Sequence, residues 1–144
     1  MSARAVRRPF LHPLHAILLA FPTALFATGL ANDITYLNSA EMQWSNFAAW
    51  AITGALVFGA PVLLWGAIQA FTARQTVWRR RALLYAGLLA LMWMAGLVNA
   101  FKHSQDAWSS VGTAGLLLSI LSTAAALAAS WVGHMAVAAE GTMR

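Results

Sequence analysis

The chain of 144 residues has no cysteine, and only 9% of its side chains are charged. Without thiols there is no disulfide framework, no thiolate zinc site, no iron–sulfur cluster and no cysteine nucleophile. Soluble domains are about one quarter charged. With 60% hydrophobic residues, so short a chain has too little polar surface to cover its apolar side chains in water. An ordinary soluble globule is thus excluded, and so is a disordered chain. Gly-rich phosphate loops, HExxH helices and Ser–His–Asp spacings are also missing. The charge balance is +5, from nine Lys and Arg against four Asp and Glu. These basic residues sit in short segments beside apolar runs rather than across a soluble face, which fits anionic lipid headgroups and not nucleic acid.

What the chain does have is four apolar runs, at about residues 14–36, 47–71, 82–101 and 111–138. Each reaches the ~20 residues that a helix needs to cross the hydrocarbon. They lack the alternation of strands, and a membrane barrel needs at least about eight strands. The predicted fold is all-α: one integral-membrane four-helix domain spanning residues 1–144. Short connections make successive helices antiparallel neighbours, up-down-up-down. Arg4, Arg7, Arg8, Arg74, Arg79, Arg80 and Arg81 fall on one side, whereas Asp33, Glu41 and Asp106 fall on the other with Lys102. The positive-inside bias then places both termini in the cytoplasm and the protein, multi-pass, in a bacterial inner membrane. The first run is too long for a signal-peptide core and is read as a retained helix. Tyr36, Trp44, Trp50 and Trp108 are expected at the outer boundary, and Trp78, Tyr85 and Trp131 at the inner one.

Because lipid is as apolar as leucine, helix association relies on close packing and interhelical hydrogen bonds. The fourth helix carries a stripe of Gly112, Gly115, Ser119, Ser122, Ala126, Ser130 and Gly133. The first carries Ala16, Ala20, Ala24 and Thr28. Both stripes are expected to face the bundle interior. Pro22 and Pro61 are expected to kink their helices, chiefly as packing devices.

Two constellations bear chemistry. In the first, His12 and His15 stand three apart around Pro13, which suits a first helical turn. His134 falls at about the same depth on the fourth helix. The spacing is compatible with ligation of haem iron, copper or zinc, His15 pairing with His134 or His12 as axial ligands of a b-type haem. The bland alternative is interfacial histidines that bind headgroups or cap the helix. In the second, Asn99, His103 and Asp106 share one side of an extended third helix. Asp33, ~28 Å along its own helix from Leu14, reaches the same level. A carboxylate at the end of an apolar run needs a partner or a function. An Asp33–His103 pair suits a proton, a metal or a quinone headgroup; the alternative is a polar latch between the first and third helices. Trp65 and Trp93 are read as packing or lipid-facing rings, and Gln69 as meeting water.

These residues carry a resemblance. The segments His12-Pro13-Leu14-His15 with Phe21-Pro22, Asp33-Ile34-Thr35-Tyr36 and His103-Ser104-Gln105-Asp106-Ala107-Trp108 are similar to the predicted membrane proteins of domain of unknown function 2231. Gly115-Leu116-Leu117-Leu118-Ser119 and Trp131-Val132-Gly133 match its fourth helix, so nearly the whole chain is covered. The resemblance implies four transmembrane helices and no established activity, and it draws attention to His12, His15, Asp33, His103 and Asp106. Two positions depart from it. Tyr85 stands where similar members often have a histidine, and His134 stands where a small or apolar residue is usual.

The functional expectation is a small redox-linked membrane subunit binding b-type haem or quinone and passing electrons between a periplasmic dehydrogenase and the quinone pool. Asp33 and His103 would then form an outer proton or quinone site. A non-catalytic membrane anchor or accessory subunit is the alternative. Handling of a small solute or metal ion is a third reading, disfavoured by the lack of an inverted repeat. An enzymatic role is not favoured. The small-residue face leaves open a homo-oligomer or another membrane subunit as partner.

Overall fold

The computed structural model describes residues 10–74, 76–105 and 111–141. Four helices make up the fold: α1 (Pro13–Ser39), α2 (Met42–Thr72), α3 (Thr76–His103) and α4 (Thr113–Gly141). All four are long and apolar enough to cross a membrane, and no strand occurs among the described residues. In a bilayer a helix satisfies its own backbone, which is why long apolar runs take this form.

The helices outrun the apolar stretches that announce them. α2 begins at Met42 rather than near residue 47, because Gln43, Ser45 and Asn46 continue the helix into the polar boundary. α3 begins at Thr76 rather than near residue 82, so Arg79, Arg80 and Arg81 stand in its opening turns and not in a loop. Arginine is a good helix former and needs no hydrocarbon around it. The α1–α2 connection shrinks to Ala40 and Glu41. Ala40 adopts a left-handed conformation (φ 56°) and donates its N–H to the Tyr36 carbonyl, closing α1. At the other end of α1, Pro13 opens the helix and the His12 ring accepts the Leu14 N–H at 3.2 Å. Both α1 and α2 run unbroken through Pro22 and Pro61.

Each helix packs on its two neighbours in a ring, α1 on α2, α2 on α3, α3 on α4 and α4 back on α1. Cross-helix contacts are antiparallel: a Cβ on Gly29 would meet Ile52, and one on Gly59 would meet Pro22. Thr123 donates to the Phe26 carbonyl and Thr23 pairs with Ser130. The starts of α1 and α3 and the ends of α2 and α4 thus share the arginine end; Asp33 and Glu41 mark the acidic end.

Inward positions on α1 are His15, Leu19, Pro22, Phe26, Gly29 and Asp33, spaced alternately by four and three, the repeat of left-handed coiled coils. α3 follows the same repeat with Ala82, Tyr85, Leu89, Met92, Gly96, Asn99 and His103, all buried. The small-residue stripe of α4 turns inward at Gly115, Ser119, Ser122, Ala126 and Gly133, with Ser130 half-buried. The stripe expected inside on α1 does not: Ala20, Ala24 and Thr28 are exposed. The polar and bulky residues at 15, 19, 22, 26, 29 and 33 occupy the inward face instead. Large apolar side chains such as Ile17, Trp50, Phe71, Phe101 and Trp131 point outward, where lipid accepts them.

Candidate functional site

Asp33 is fully buried at the acidic end of α1. One carboxylate oxygen, Oδ1, lies 2.8 Å from His103 Nε2. The other, Oδ2, accepts a hydrogen bond from the Ser119 hydroxyl. Ser119 Oγ in turn accepts from Asn99 Nδ2 at 2.7 Å. His103 Nδ1 lies 3.0 Å from the backbone carbonyl of Asn99, one turn earlier. Since a carbonyl only accepts, Nδ1 carries a proton and donates it there. The result is a closed circuit, Asn99 to Ser119 to Asp33 to His103 and back to Asn99, joining α1, α3 and α4. One proton lies between Asp33 and His103, and both carboxylate oxygens and both ring nitrogens are engaged. Asn99 Oδ1 is buried without a partner. Asp106, expected in this cluster, lies outside the described residues.

A second cluster closes the arginine end. His15 is fully buried, and its Nε2 lies 2.7 Å from the Tyr85 hydroxyl. The Tyr85 ring crosses the bundle axis between two glycines. A Cβ on Gly66 of α2 would come within 3.4 Å of one ring edge, and a Cβ on Gly133 of α4 within 3.3 Å of the other. A Cβ at these positions would press hardest on Leu89 and Leu11, at 2.7 and 2.9 Å, so the two glycines give the ring and its neighbours room. The His15 ring also packs against Trp65, their centroids 5.1 Å apart, and His12 covers Trp65 from outside at 5.6 Å. Phe10 meets the edge of Tyr85 and stacks on Trp78. Gln69 reaches back to donate to the Phe10 carbonyl at 3.0 Å, fixing the segment ahead of α1. Tyr85 is therefore an axial core residue, not the interfacial belt ring expected of it.

The two clusters share one design. Asp33 follows His15 by eighteen residues on α1, and His103 follows Tyr85 by eighteen on α3. Eighteen residues are five helical turns, about 27 Å, so each helix presents both groups from one face. α1 and α3 lie across the diagonal of the ring, and these side chains bridge it at both ends.

His12 and His134 stand apart from this axis. His12 is exposed at the start of α1 as its N-cap. His134 is exposed near the end of α4, with Nδ1 2.7 Å from the Ser130 carbonyl. It borders an outward-facing groove of about 440 Å³ between α1 and α4, walled by Ala16, Ala20, Ala24, Ala27 and Leu127. His15 faces the axis and His134 faces the groove, so the opposed imidazoles that axial ligation requires are not brought together. Tyr85, not His134, stands opposite His15. No group of three potential metal ligands occurs among the described residues.

Ser119 and Tyr85 are the site residues that sequence reasoning missed. Ser119 appeared only as one small residue of a packing stripe. The matched eighteen-residue spacings were the signal for Tyr85; Ser119 carries none beyond its place in the stripe. Trp93, by contrast, is a packing ring that donates its indole N–H to the Leu56 carbonyl at 3.1 Å.

No curated protein and no solved structure matches the chain. The family model described as predicted membrane protein (DUF2231) matches residues 11–143, a span that takes in all four helices and both polar clusters. The chain therefore belongs to the DUF2231 family of predicted membrane proteins.

Proposed function

We propose that the protein is a non-catalytic membrane anchor or accessory subunit, a bundle locked at both ends by side chains that bridge its diagonal. The observation that supports this reading is the Asp33 circuit, in which both carboxylate oxygens are already engaged. A group poised for reaction with an external ligand keeps an open valence, whereas Asp33 and His103 spend theirs on each other and on Ser119 and Asn99. In lipid such bonds are among the few forces that specify how helices pair. The seven arginines at the start of the chain and around the α2–α3 connection favour a cytoplasmic position for that end in a bacterial inner membrane.

The redox-linked reading, in its haem form, lacks a suitable ligand pair. Axial ligation by His15 Nε2 would require the ring to leave Tyr85, and His134 faces away. The two readings separate in one absorption spectrum. Protein purified from membranes in mild detergent is expected to show no Soret band. A Soret band that disappears in His15→Ala would overturn the anchor reading and restore the redox one.

A further inference from the structure

Two polar atoms at the arginine end are buried without partners: His15 Nδ1 and Gln69 Oε1. Both belong to the cluster around Trp65. The His15 ring packs on Trp65, and Gln69 follows it by one turn on α2. Each atom is orphaned for a defined reason. His15 Nε2 is committed to the Tyr85 hydroxyl. Gln69 Nε2 donates to the Phe10 carbonyl, an acceptor only, so the amide orientation is fixed and Oε1 is the atom left over. A buried polar atom without a hydrogen bond costs about 1–3 kcal/mol. Two such atoms in one cluster are the usual setting of an internal water or a bound polar group.

We propose that a hydroxylic ligand binds at the arginine end between α1 and α2 and joins His15 Nδ1 to Gln69 Oε1. The chemistry required is an O–H that donates to Gln69 Oε1 while its oxygen accepts from a protonated Nδ1. A water meets this requirement, and so does the hydroxyl of a membrane-soluble phenol or quinol lying against Trp65. With that group in place, hydrogen bonds run without a break from Tyr85 through His15 and the ligand to Gln69 and the Phe10 carbonyl. They link α3, α1, α2 and the segment ahead of α1. The chain reaches from the bundle axis to the half-buried Gln69. This site is independent of whether the bundle serves a partner.

Solid-state NMR of the full chain in bilayers, with labelled histidine, tests it. The His15 Nδ1 resonance is expected to show contact with an exchangeable proton that does not belong to the protein. Gln69→Met, similar in length but without the acceptor, is expected to move that resonance. Tyr85→Phe, a second variant that removes only the opposite partner, is expected to move Nε2 and keep the Nδ1 contact. The source is read by extracting membrane lipids and reconstituting the protein in synthetic phosphatidylcholine. A contact that persists identifies water; one that is lost and returns with decylubiquinol identifies a ligand hydroxyl. The proposal is overturned if Nδ1 contacts no exchangeable proton beyond the protein's own, or if its resonance is unmoved in Gln69→Met.

Discussion

Replacing Asp33 by asparagine separates two accounts of the acidic-end circuit. If the circuit is a set of hydrogen bonds that holds α1, α3 and α4 together, the amide fits it. Its oxygen, at the Oδ2 position, accepts from the Ser119 hydroxyl. Its NH₂, at the Oδ1 position, donates to His103 Nε2, which is an acceptor in the neutral ring. His103 Nδ1 still donates to the Asn99 carbonyl, and Asn99 still donates to Ser119. One buried N–H is left over, at a cost of about 1–3 kcal/mol. His103→Ala behaves differently. It leaves a buried carboxylate with one oxygen bare, and breaking a buried pair in this way costs about 3–5 kcal/mol. Ser119→Ala strips a partner from two buried groups, Asp33 Oδ2 and Asn99 Nδ2, at about 1–3 kcal/mol each. Unfolding in mixed micelles by titration with dodecyl sulfate reads all three variants on one scale. Asp33→Asn is expected to be the least destabilising of the three. If Asp33→Asn unfolds as readily as His103→Ala, charge rather than hydrogen bonding holds the circuit, and the latch reasoning fails.

Other outcomes are expected on the same footing. Gly96→Ala drives a methyl into the Phe26 ring and is expected to cost about 1–3 kcal/mol by overpacking, whereas Gly87→Ala, with nothing within 4 Å, is expected to be neutral in the same titration. Tyr85→Phe removes the partner of His15 Nε2 while keeping the ring between Gly66 and Gly133, so a loss of about 1–2 kcal/mol is expected. Because the chain has no cysteine, single cysteines at Arg80 and Gln105 can be labelled without background; a membrane-impermeant maleimide is expected to reach Gln105→Cys from outside intact cells and Arg80→Cys only after the membrane is opened.

Much of this architecture was legible in the sequence. Four apolar runs separated by short polar segments leave few alternatives to a helical bundle, and the polar character of Asp33 and His103 at matching depth anticipated their meeting. Which face of each helix turns inward was harder to read. In water an apolar stripe marks the core, but here the outer surface is apolar as well, so the contrast that guides such a reading is weak. On α4 the stripe around Ser119, Ser122 and Ala126 did point inward. On α1 the alanines at 20 and 24 looked like the same signal and faced outward, because His15 and Asp33 must both leave the lipid and lie on one face five turns apart. The positions of the rare polar residues were the stronger guide. Tyr85 was misplaced for a related reason: a tyrosine near the end of a span suits the membrane boundary equally well, and only its eighteen-residue offset from His103 reveals that it shares the axial face.

That offset also explains how so apolar a bundle fixes its register. Between the two polar clusters the axial side chains are those of Leu19, Phe26, Leu89 and Met92 with Pro22 and Gly96, none of which carries a hydrogen-bonding group; the mid-depth bonds run instead between neighbouring helices, from Thr123 to the Phe26 carbonyl and between Thr23 and Ser130. Apolar side chains of similar size pack acceptably when one helix slides or turns by a heptad position, so the axial side chains alone select weakly among registers of α1 against α3. Across the diagonal, moreover, α1 and α3 do not touch as backbones do in neighbouring helices; only their longer side chains meet. A hydrogen bond between His15 and Tyr85 alone would leave the far ends free to pivot. A second bond at Asp33 and His103, five turns away on both helices, removes that freedom, because rotating or sliding either helix to improve one contact breaks the other. Two bridges at the limits of the membrane thus accomplish what a polar residue placed at mid-depth would do only at a greater desolvation cost, and they leave the centre of the bundle to close packing.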